Sequence, residues 1–430
     1  MTTLYLKAVG RAGAVSILFG VFLLCGPWAA DRAGAEAFDL KTTVQSALDA
    51  NLGLKVAGKD VDAARAITRI RRSEFLPTFS ASYQYSRVDL SSRTEIVVPE
   101  DEYTFVGSIR QPLFDGFSRL NRFRIARLGL DAAKLADRVK RQDIIFGAKE
   151  LFYTILKARK LVDVAQQAAV QLEAHKNVAH KFYKVGMTPL NDFLEAEVEL
   201  ANARQELITA RNRVEIAKSN LNRLLHRSVN APLELADGGR LVSFGKDLDF
   251  CLDAAEANRL EMKIAQLQVD IARREKDLGK AGYYPSVDLE GNYYRRGDEW
   301  DVDGGPGISD KSSWDVTAVA RWNFFEWGKT YYTVEEKQNR LTQARYEQQA
   351  VRDQVLLEVK QAYLNTQEAE QNILTVRQAV EQARENFRIS EERFKGQVAT
   401  STDVLDAQTL MTRTMSTYYN ALYDFKIFKA

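Results

Sequence analysis

The amino-acid sequence repeats itself once, at an interval of about 210 residues. Pro77 and Pro285 lie 208 positions apart, and each stands just before a segment of alternating apolar and polar residues. Further along the chain the interval becomes 211 positions and relates Asp192 to Asp403. A chance similarity would not keep one register over so long a stretch. The fold therefore has to be built from two equivalent halves.

The distribution of proline predicts two very long helices. No proline occurs between Leu113 and Thr188, or anywhere after Pro306. An interior proline breaks an α-helix, so these stretches are predicted to be helical. Helices over 120–185 and 329–395 would each be roughly 100 Å long. A coiled-coil spacing supports the second of them, with apolar residues at Ile373, Val376, Val380, Ala383, Phe387 and Phe394.

Four segments of about ten residues alternate apolar and polar side chains, two in each copy. They cover 78–86, 103–110, 286–293 and 314–323. Alternation also fits half-buried strands of soluble proteins, but the length and the Tyr and Trp on the apolar face favour transmembrane strands. Four strands cannot enclose a channel. Two chains would give eight strands with a filled interior, and three would give twelve with a pore.

The first 37 residues are predicted to be a cleaved secretory signal peptide. Lys7 and Arg11 precede a short apolar run, and Ala35-Glu36-Ala37 supplies a cleavage site before Phe38. A retained anchor helix is the alternative, although the run is short for one. Lipidation of Cys25 is a further alternative. Cleavage would leave Cys251 as the sole cysteine, so that no intramolecular disulfide forms.

Composition and local motifs argue against several function classes. Lys and Arg number 60 against 58 Asp and Glu, with no basic block, so no nucleic acid is expected as a partner. His175 and His180 are five residues apart and do not share a helix face, so no metal site is expected. The Gly328-Lys329-Thr330 run lacks the earlier glycine of a phosphate-binding loop. No nucleophile–base pair stands out, and we expect no enzyme activity and no cofactor.

The chain has a predicted signal peptide followed by two copies of the order helix, β-hairpin, long helical hairpin. This organisation resembles that of the TolC family of outer-membrane efflux proteins. The resemblance covers essentially the whole chain after residue 37. It is carried by three pairs of motifs: 76–77 with 284–285, 111–116 with 323–328, and 185–188 together with Asp192 and Ala196, which are echoed by 402–407.

The resemblance implies a mainly α fold with membrane β-strands. Three chains would form a twelve-stranded β-barrel in the outer membrane, continuous with an α-barrel in the periplasm. Residues 38–227 would be the first repeat, with its hairpin at about 77–112, and 251–430 the second, with its hairpin at about 285–325. Residues 228–250 would be an equatorial linker between them.

The same resemblance places acidic residues at the periplasmic mouth of the duct. Asp403 and Asp406 lie three residues apart on one helix face, and in a trimer they would form stacked carboxylate rings that select for cations, with Asp192 and Glu195 forming a ring further out. Their mutual repulsion would raise some of their pKa values. Asp192 and Glu195 occupy the same places in the first copy. Helix capping is the alternative role for Asp403. The arginine with which family members can lock the mouth is absent, since 397–400 reads Gln-Val-Ala-Thr.

The turns between the long helices resemble the tips that meet a periplasmic adaptor. Residues Val185, Gly186, Met187 and Thr188 form the first tip, and Gly396 lies in the second, shifted by one place. A turn that needs glycine for its backbone is the alternative explanation. The resemblance thus implies a passive exit duct of a tripartite efflux or type I secretion system, with an adaptor and an inner-membrane pump as partners and the cargo left open. The competing interpretation is a periplasmic coiled-coil adaptor or scaffold without a pore.

Overall fold

The computed structural model describes residues 38–88, 100–236 and 242–430. The predicted signal peptide at 1–37 lies outside the described residues. In the first copy, helices α1 and α2 are followed by two strands and a helical hairpin: α1 Leu40–Ala50, α2 Leu52–Ser73, β1 Thr78–Arg87, β2 Asp101–Asp115, α3 Ser118–Lys184 and α4 Leu190–Leu224. The second copy has the same order: α5 Leu248–Asn258, α6 Leu260–Gly279, β3 Ser286–Gly297, β4 Ser312–Arg321, α7 Lys329–Lys395 and α8 Ser401–Lys429.

The segment before each hairpin is two helices rather than the single helix expected from the sequence. Asn51 separates α1 from α2 in an extended conformation, and its Oδ1 accepts hydrogen bonds from the amides of Gly53 and Leu54 at 2.8 and 3.3 Å. An asparagine in this place satisfies the free amides at the start of a new helix. Arg259 makes the corresponding break between α5 and α6.

The two hairpins join into one antiparallel sheet of order β1-β2-β3-β4. The register places the apolar positions of all four strands on one face, because Tyr83 is opposite Phe105, Gly107 opposite Tyr293, and Tyr293 opposite Trp314. The other face is polar and holds a small ionic network. There Arg110 contacts Asp288 at 3.1 Å and Glu290 at 3.3 Å.

Strand β2 runs past the proline that was expected to end it. Pro112 pairs with Asp288, and the register shifts between Pro112 and Phe114. Because proline donates no ladder hydrogen bond, an irregularity at this place is expected. Strand β4 ends earlier than predicted, at Arg321.

Each strand-to-helix junction turns in a left-handed backbone conformation. Gly116 and Phe117 have φ of 63° and 66°, and Gly328 has φ of 80°. A Cβ at Gly116 would lie 2.5 Å from the carbonyl oxygen of Ala281, so only glycine fits there. Arg119 is buried below this turn and bonds to the Asp115 carboxylate at 3.0 Å and the Pro112 carbonyl at 2.8 Å. The strand end is thereby fixed to the helix start.

The long helices α3 and α7 each contain 67 residues, which corresponds to about 100 Å. Two main clusters of buried apolar side chains lie along them. One is near the middle of the molecule around Phe152 and Leu221, and the other is toward the turns around Phe387 and Phe394. No helix in the described part of the chain is long and apolar enough to span a bilayer.

Candidate functional site at the helical tips

The structure brings the starts of α4 and α8 together, although they are about 210 residues apart in sequence. The Ser401 hydroxyl donates to the Asp192 carbonyl at 3.4 Å. The Thr402 hydroxyl donates to the Glu195 carboxylate at 3.3 Å. All four predicted acidic residues, Asp192, Glu195, Asp403 and Asp406, therefore belong to one end of the molecule.

Asp403 closes a capping box at the start of α8. Its carboxylate accepts hydrogen bonds at 2.8 Å from both the amide and the hydroxyl of Thr400, and its own amide donates to the Thr400 hydroxyl at 3.2 Å. These bonds, the backbone one first, hold the pKa of the Asp403 carboxyl below its usual value, with a further contribution from the positive charge of Arg393. Capping was the alternative role considered for this residue. Within one subunit its pKa moves in the opposite direction to the expected rise from ring repulsion.

Asp406 is exposed one turn further along α8 and makes no hydrogen bond or ion pair with any described residue. Its carboxylate is thus not needed to hold this helix end. Of these two aspartates, only Asp406 has a carboxylate with no bonding partner among the described residues.

The first tip is a turn in which a glycine takes the left-handed position. Gly186 has φ of 76°, and the amide of Met187 donates to the Phe182 carbonyl at 2.8 Å, while that of Gly186 donates to Tyr183 at 2.9 Å. This pattern closes a helix by a left-handed residue just after its end. The side chains of Val185 and Met187 stay exposed beside it.

The second tip forms the same turn, but its glycine is not the left-handed residue. Gly396 has φ of −83°, whereas Gln397 has φ of 61° and the amide of Val398 donates to Arg393 at 2.9 Å. Gln397 therefore matches Gly186, and Gly396 matches Val185. The side-chain amide of Gln397 also lies 3.6 Å from the sulfur of Met187, so the two tips are in contact.

A buried histidine, which the sequence analysis weighed only as a metal ligand, connects the two hairpins near these tips. The Nε2 atom of His175, on α3, lies 2.8 Å from the Ser401 hydroxyl, and the ring packs on Phe394 with 4.8 Å between centroids. Burial lowers the pKa of His175 to about 4, and the charge of Glu391 opposes this shift only partly. The neutral imidazole, Ser401 and the Asp192 carbonyl form a chain that joins α3, α8 and α4.

A comparison with family models decides the class of protein to which this site belongs. The model described as "Outer membrane efflux protein" matches residues 43–226 and 251–428, which are the two copies seen in the fold. The chain belongs to the outer membrane efflux protein family. Its two matched segments cover most of the sequence.

Curated relatives of this outer membrane efflux protein span nearly its whole length. The alkaline protease secretion protein AprF of Pseudomonas aeruginosa is 23% identical, over 95% of this chain and 85% of its own. The outer membrane protein TolC of Escherichia coli is 22% identical, over 91% of this chain and 81% of its own.

Solved structures share the fold of this outer membrane efflux protein at low sequence identity. The outer membrane protein VceC of Vibrio cholerae superposes with a TM-score of 0.78 at 17% identity, covering 90% of this chain and 93% of VceC. The CmeC outer membrane channel of Campylobacter jejuni gives a TM-score of 0.75 at 16% identity, covering 91% and 84%. This protein is thus a mainly α, duplicated channel protein of the outer membrane, and it acts as an exit duct.

Proposed function

We propose that three copies of this chain close one twelve-stranded barrel and one α-barrel, forming a passive duct with no catalytic step. The observation that carries this proposal is the sheet itself. Its outer strands β1 and β4 pair on one side only within the described residues, and one of its faces is apolar along all four strands. Unpaired edges inside a bilayer are too costly to persist, so further copies have to supply the missing neighbours.

In this arrangement residues 38–227 and 251–430 are the two repeats of each subunit, and 228–250 link them at the equator of the α-barrel. The amide of Phe38 donates to the Glu234 carbonyl at 2.9 Å, and the amide of Ala236 donates to Phe38 at 3.0 Å. These bonds support a role of the linker in tying the start of the first repeat to its end.

The experiment that tests the duct is fractionation followed by electrophoresis with and without heating. We expect a trimer extracted from the outer membrane that migrates before boiling at a higher apparent mass than the dissociated chain, and that conducts ions in planar bilayers. A monomer recovered in the soluble periplasmic fraction would contradict the proposal and favour the scaffold interpretation.

We further propose that the tips meet a periplasmic adaptor, which links the duct to an inner-membrane pump. Exposed apolar side chains at both turns support this, namely those of Val185, Met187 and Val398. Relatives with the names alkaline protease secretion protein and toluene efflux pump outer membrane protein fit either a polypeptide or a small-molecule cargo. Co-purification of the trimer after cross-linking in cells should recover the adaptor. Substituting Val185 and Met187 with Ser should abolish recovery while the trimer persists.

The acidic side chains at this end are proposed as the periplasmic gate. Asp406 and Asp403 of three subunits would form rings, with Asp192 and Glu195 further out. Converging carboxylates attract cations and repel anions at a constriction. The exposure of Asp406 and its lack of a bonding partner among the described residues support this role.

A further inference from the structure

The ends of the helices nearest the sheet carry five exposed arginines that have no acidic partner within the part of the chain that the structure describes. Two lie in the last two turns of α2 and three in the first three turns of α3: Arg69, Arg72, Arg122, Arg124 and Arg127. None of them makes an ion pair, side-chain hydrogen bond or ring contact with a described residue. We call these five residues the basic collar. All lie within about 15 Å of the helix ends that adjoin the strands.

The second copy lacks a positive charge at four of these five positions. At the repeat interval of 211, Arg122, Arg124 and Arg127 correspond to Thr333, Glu335 and Gln338. At the interval of 208, Arg69 corresponds to Asp277, and Arg72 corresponds to Lys280, which lies 2.9 Å from Asp277. Helices of equal or similar length occupy the same place in the second half without a cluster of unpaired arginines among their described residues.

Three of the cations that the second copy has at this height are paired. Lys329 lies 3.7 Å from Glu326, Lys337 lies 3.8 Å from Glu275, and Arg340 lies 3.1 Å from Glu336. Unpaired like charges repel one another, so five of them on adjacent helix ends destabilise the free subunit. A negatively charged partner outside the subunit would relieve this repulsion.

The position of the collar identifies the class of that partner. The apolar face of the sheet ends in exposed aromatic side chains at the junction to α7, including Trp322, Phe324 and Trp327. Tyr and Trp in such places mark the level of lipid headgroups. The basic collar lies at the same level in the first copy, where the headgroups of the periplasmic leaflet present phosphates.

The geometry also suits a phosphate group. Arg124 and Arg127 of α3 and Arg273 and Arg274 of α6 line one cleft of about 460 Å³, together with Leu128, Asp131 and Asp270. Asp270 bonds Arg273 at 3.0 Å, which leaves the two α3 guanidinium groups without a partner among the described residues. Guanidinium groups bind phosphate oxygens in a planar, bidentate manner.

We propose that the basic collar binds anionic glycerophospholipids of the periplasmic leaflet and so fixes the depth of the first repeat in the membrane. This inference rests on the proposed barrel, which places the sheet in the bilayer. Each basic residue near an anionic surface contributes roughly a fivefold gain in binding. Loss of three should therefore weaken lipid binding by about one to two orders of magnitude.

The test compares two triple variants of the full trimer in native mass spectrometry, with phosphatidylglycerol or phosphatidylcholine added to the detergent. The collar variant is Arg122→Gln, Arg124→Gln, Arg127→Gln. The control is Lys329→Gln, Lys337→Gln, Arg340→Gln, which removes the same number of positive charges from the second copy. We expect the wild type and the control to retain phosphatidylglycerol selectively and the collar variant to lose that selectivity. Inorganic phosphate at the same concentration should not displace the lipid.

Two results would overturn the proposal. One is equal retention of phosphatidylglycerol by the wild type and the collar variant. The other is a change of ion selectivity in planar bilayers with unchanged lipid retention, since the arginines would then line the lumen. If the proposed barrel is wrong, the heat-modifiable trimer will be missing from the wild type, the collar variant and the control variant alike. If only the collar variant fails to assemble, the single variants Arg122→Gln and Arg124→Gln replace it. Their retention of phosphatidylglycerol is then compared with that of the wild type in the same way.

Discussion

At the scale of single residues, the two tips show how one turn can be built with and without glycine. Gly186 and Gln397 both take the left-handed conformation that ends a long helix, with φ of 76° and 61°. A side chain there costs roughly 1 kcal/mol relative to glycine. The shift of Gly396 by one place could be seen in the sequence. The sequence did not reveal that Gln397 takes the strained conformation, because the last hydrogen bonds of α7 determine where that helix ends.

Replacing Gln397 with glycine should stabilise the second tip by about 0.5–1 kcal/mol. The reciprocal change Gly186→Ala should destabilise the first tip by a similar amount, although its Cβ would meet no neighbouring atom within 4 Å. The dissociation temperature of the detergent-solubilised trimer measures both effects. The strain argument fails if the two substitutions shift that temperature in the same direction.

The two aspartates of α8 should separate into a structural and an electrostatic role. Asp406→Asn is expected to reduce cation selectivity in planar bilayers without lowering trimer stability, since the carboxylate bonds to no described residue. Asp403→Asn should reduce selectivity and also lower stability, because it weakens the capping box with Thr400. Unchanged reversal potentials in the double variant would remove both residues from the gate.

At the scale of elements, the positions of proline residues predict the helices, and the alternation of apolar and polar side chains predicts the strands. The junctions between these elements depend on long-range contacts. The sequence predicted α7 at Lys329–Lys395, the bounds that the structure shows. It did not predict that β2 continues past Pro112, because that extension relies on pairing with β3 far along the chain. The His175–Ser401 contact was missed for the same reason, since its partners are 226 residues apart. The only local signal was the place of His175 on an apolar helix face.

The contact between α3 and α8 should make the assembly sensitive to acid. The unfolded chain protonates His175 near pH 6.5, whereas the folded chain does so only near pH 4. The unfolded state thus binds more protons in this window, and stability should fall as the pH decreases from 6.5 through 4. The measurement is the dissociation temperature of the trimer across this range. His175→Gln should make the dissociation temperature less dependent on pH. The control His180→Gln should leave this pH dependence as in the wild type.

At the scale of the whole molecule, the two faces of the sheet should respond differently to an added charge. Val316 and Thr317 are neighbours on β4, and both are exposed in the single subunit. Val316→Arg would place a cation on the lipid face, at a cost of about 2–4 kcal/mol near the bilayer centre. Recovery of the trimer from outer membranes should drop sharply. Thr317→Arg should preserve recovery and shift ion selectivity toward anions, and equal recovery of both variants would contradict the assigned faces.

The uninterrupted length of α7 also determines how far its inner end can travel. A rigid rod of about 100 Å, held at its midpoint and tilted by about 5°, swings its free end sideways by about 4 Å. Three such levers moving outward together would widen an aperture by more than the diameter of a water molecule, with every hydrogen bond along each rod intact. Opening then has to break only the few contacts between neighbouring tips, and the energy needed is set there rather than along the shaft.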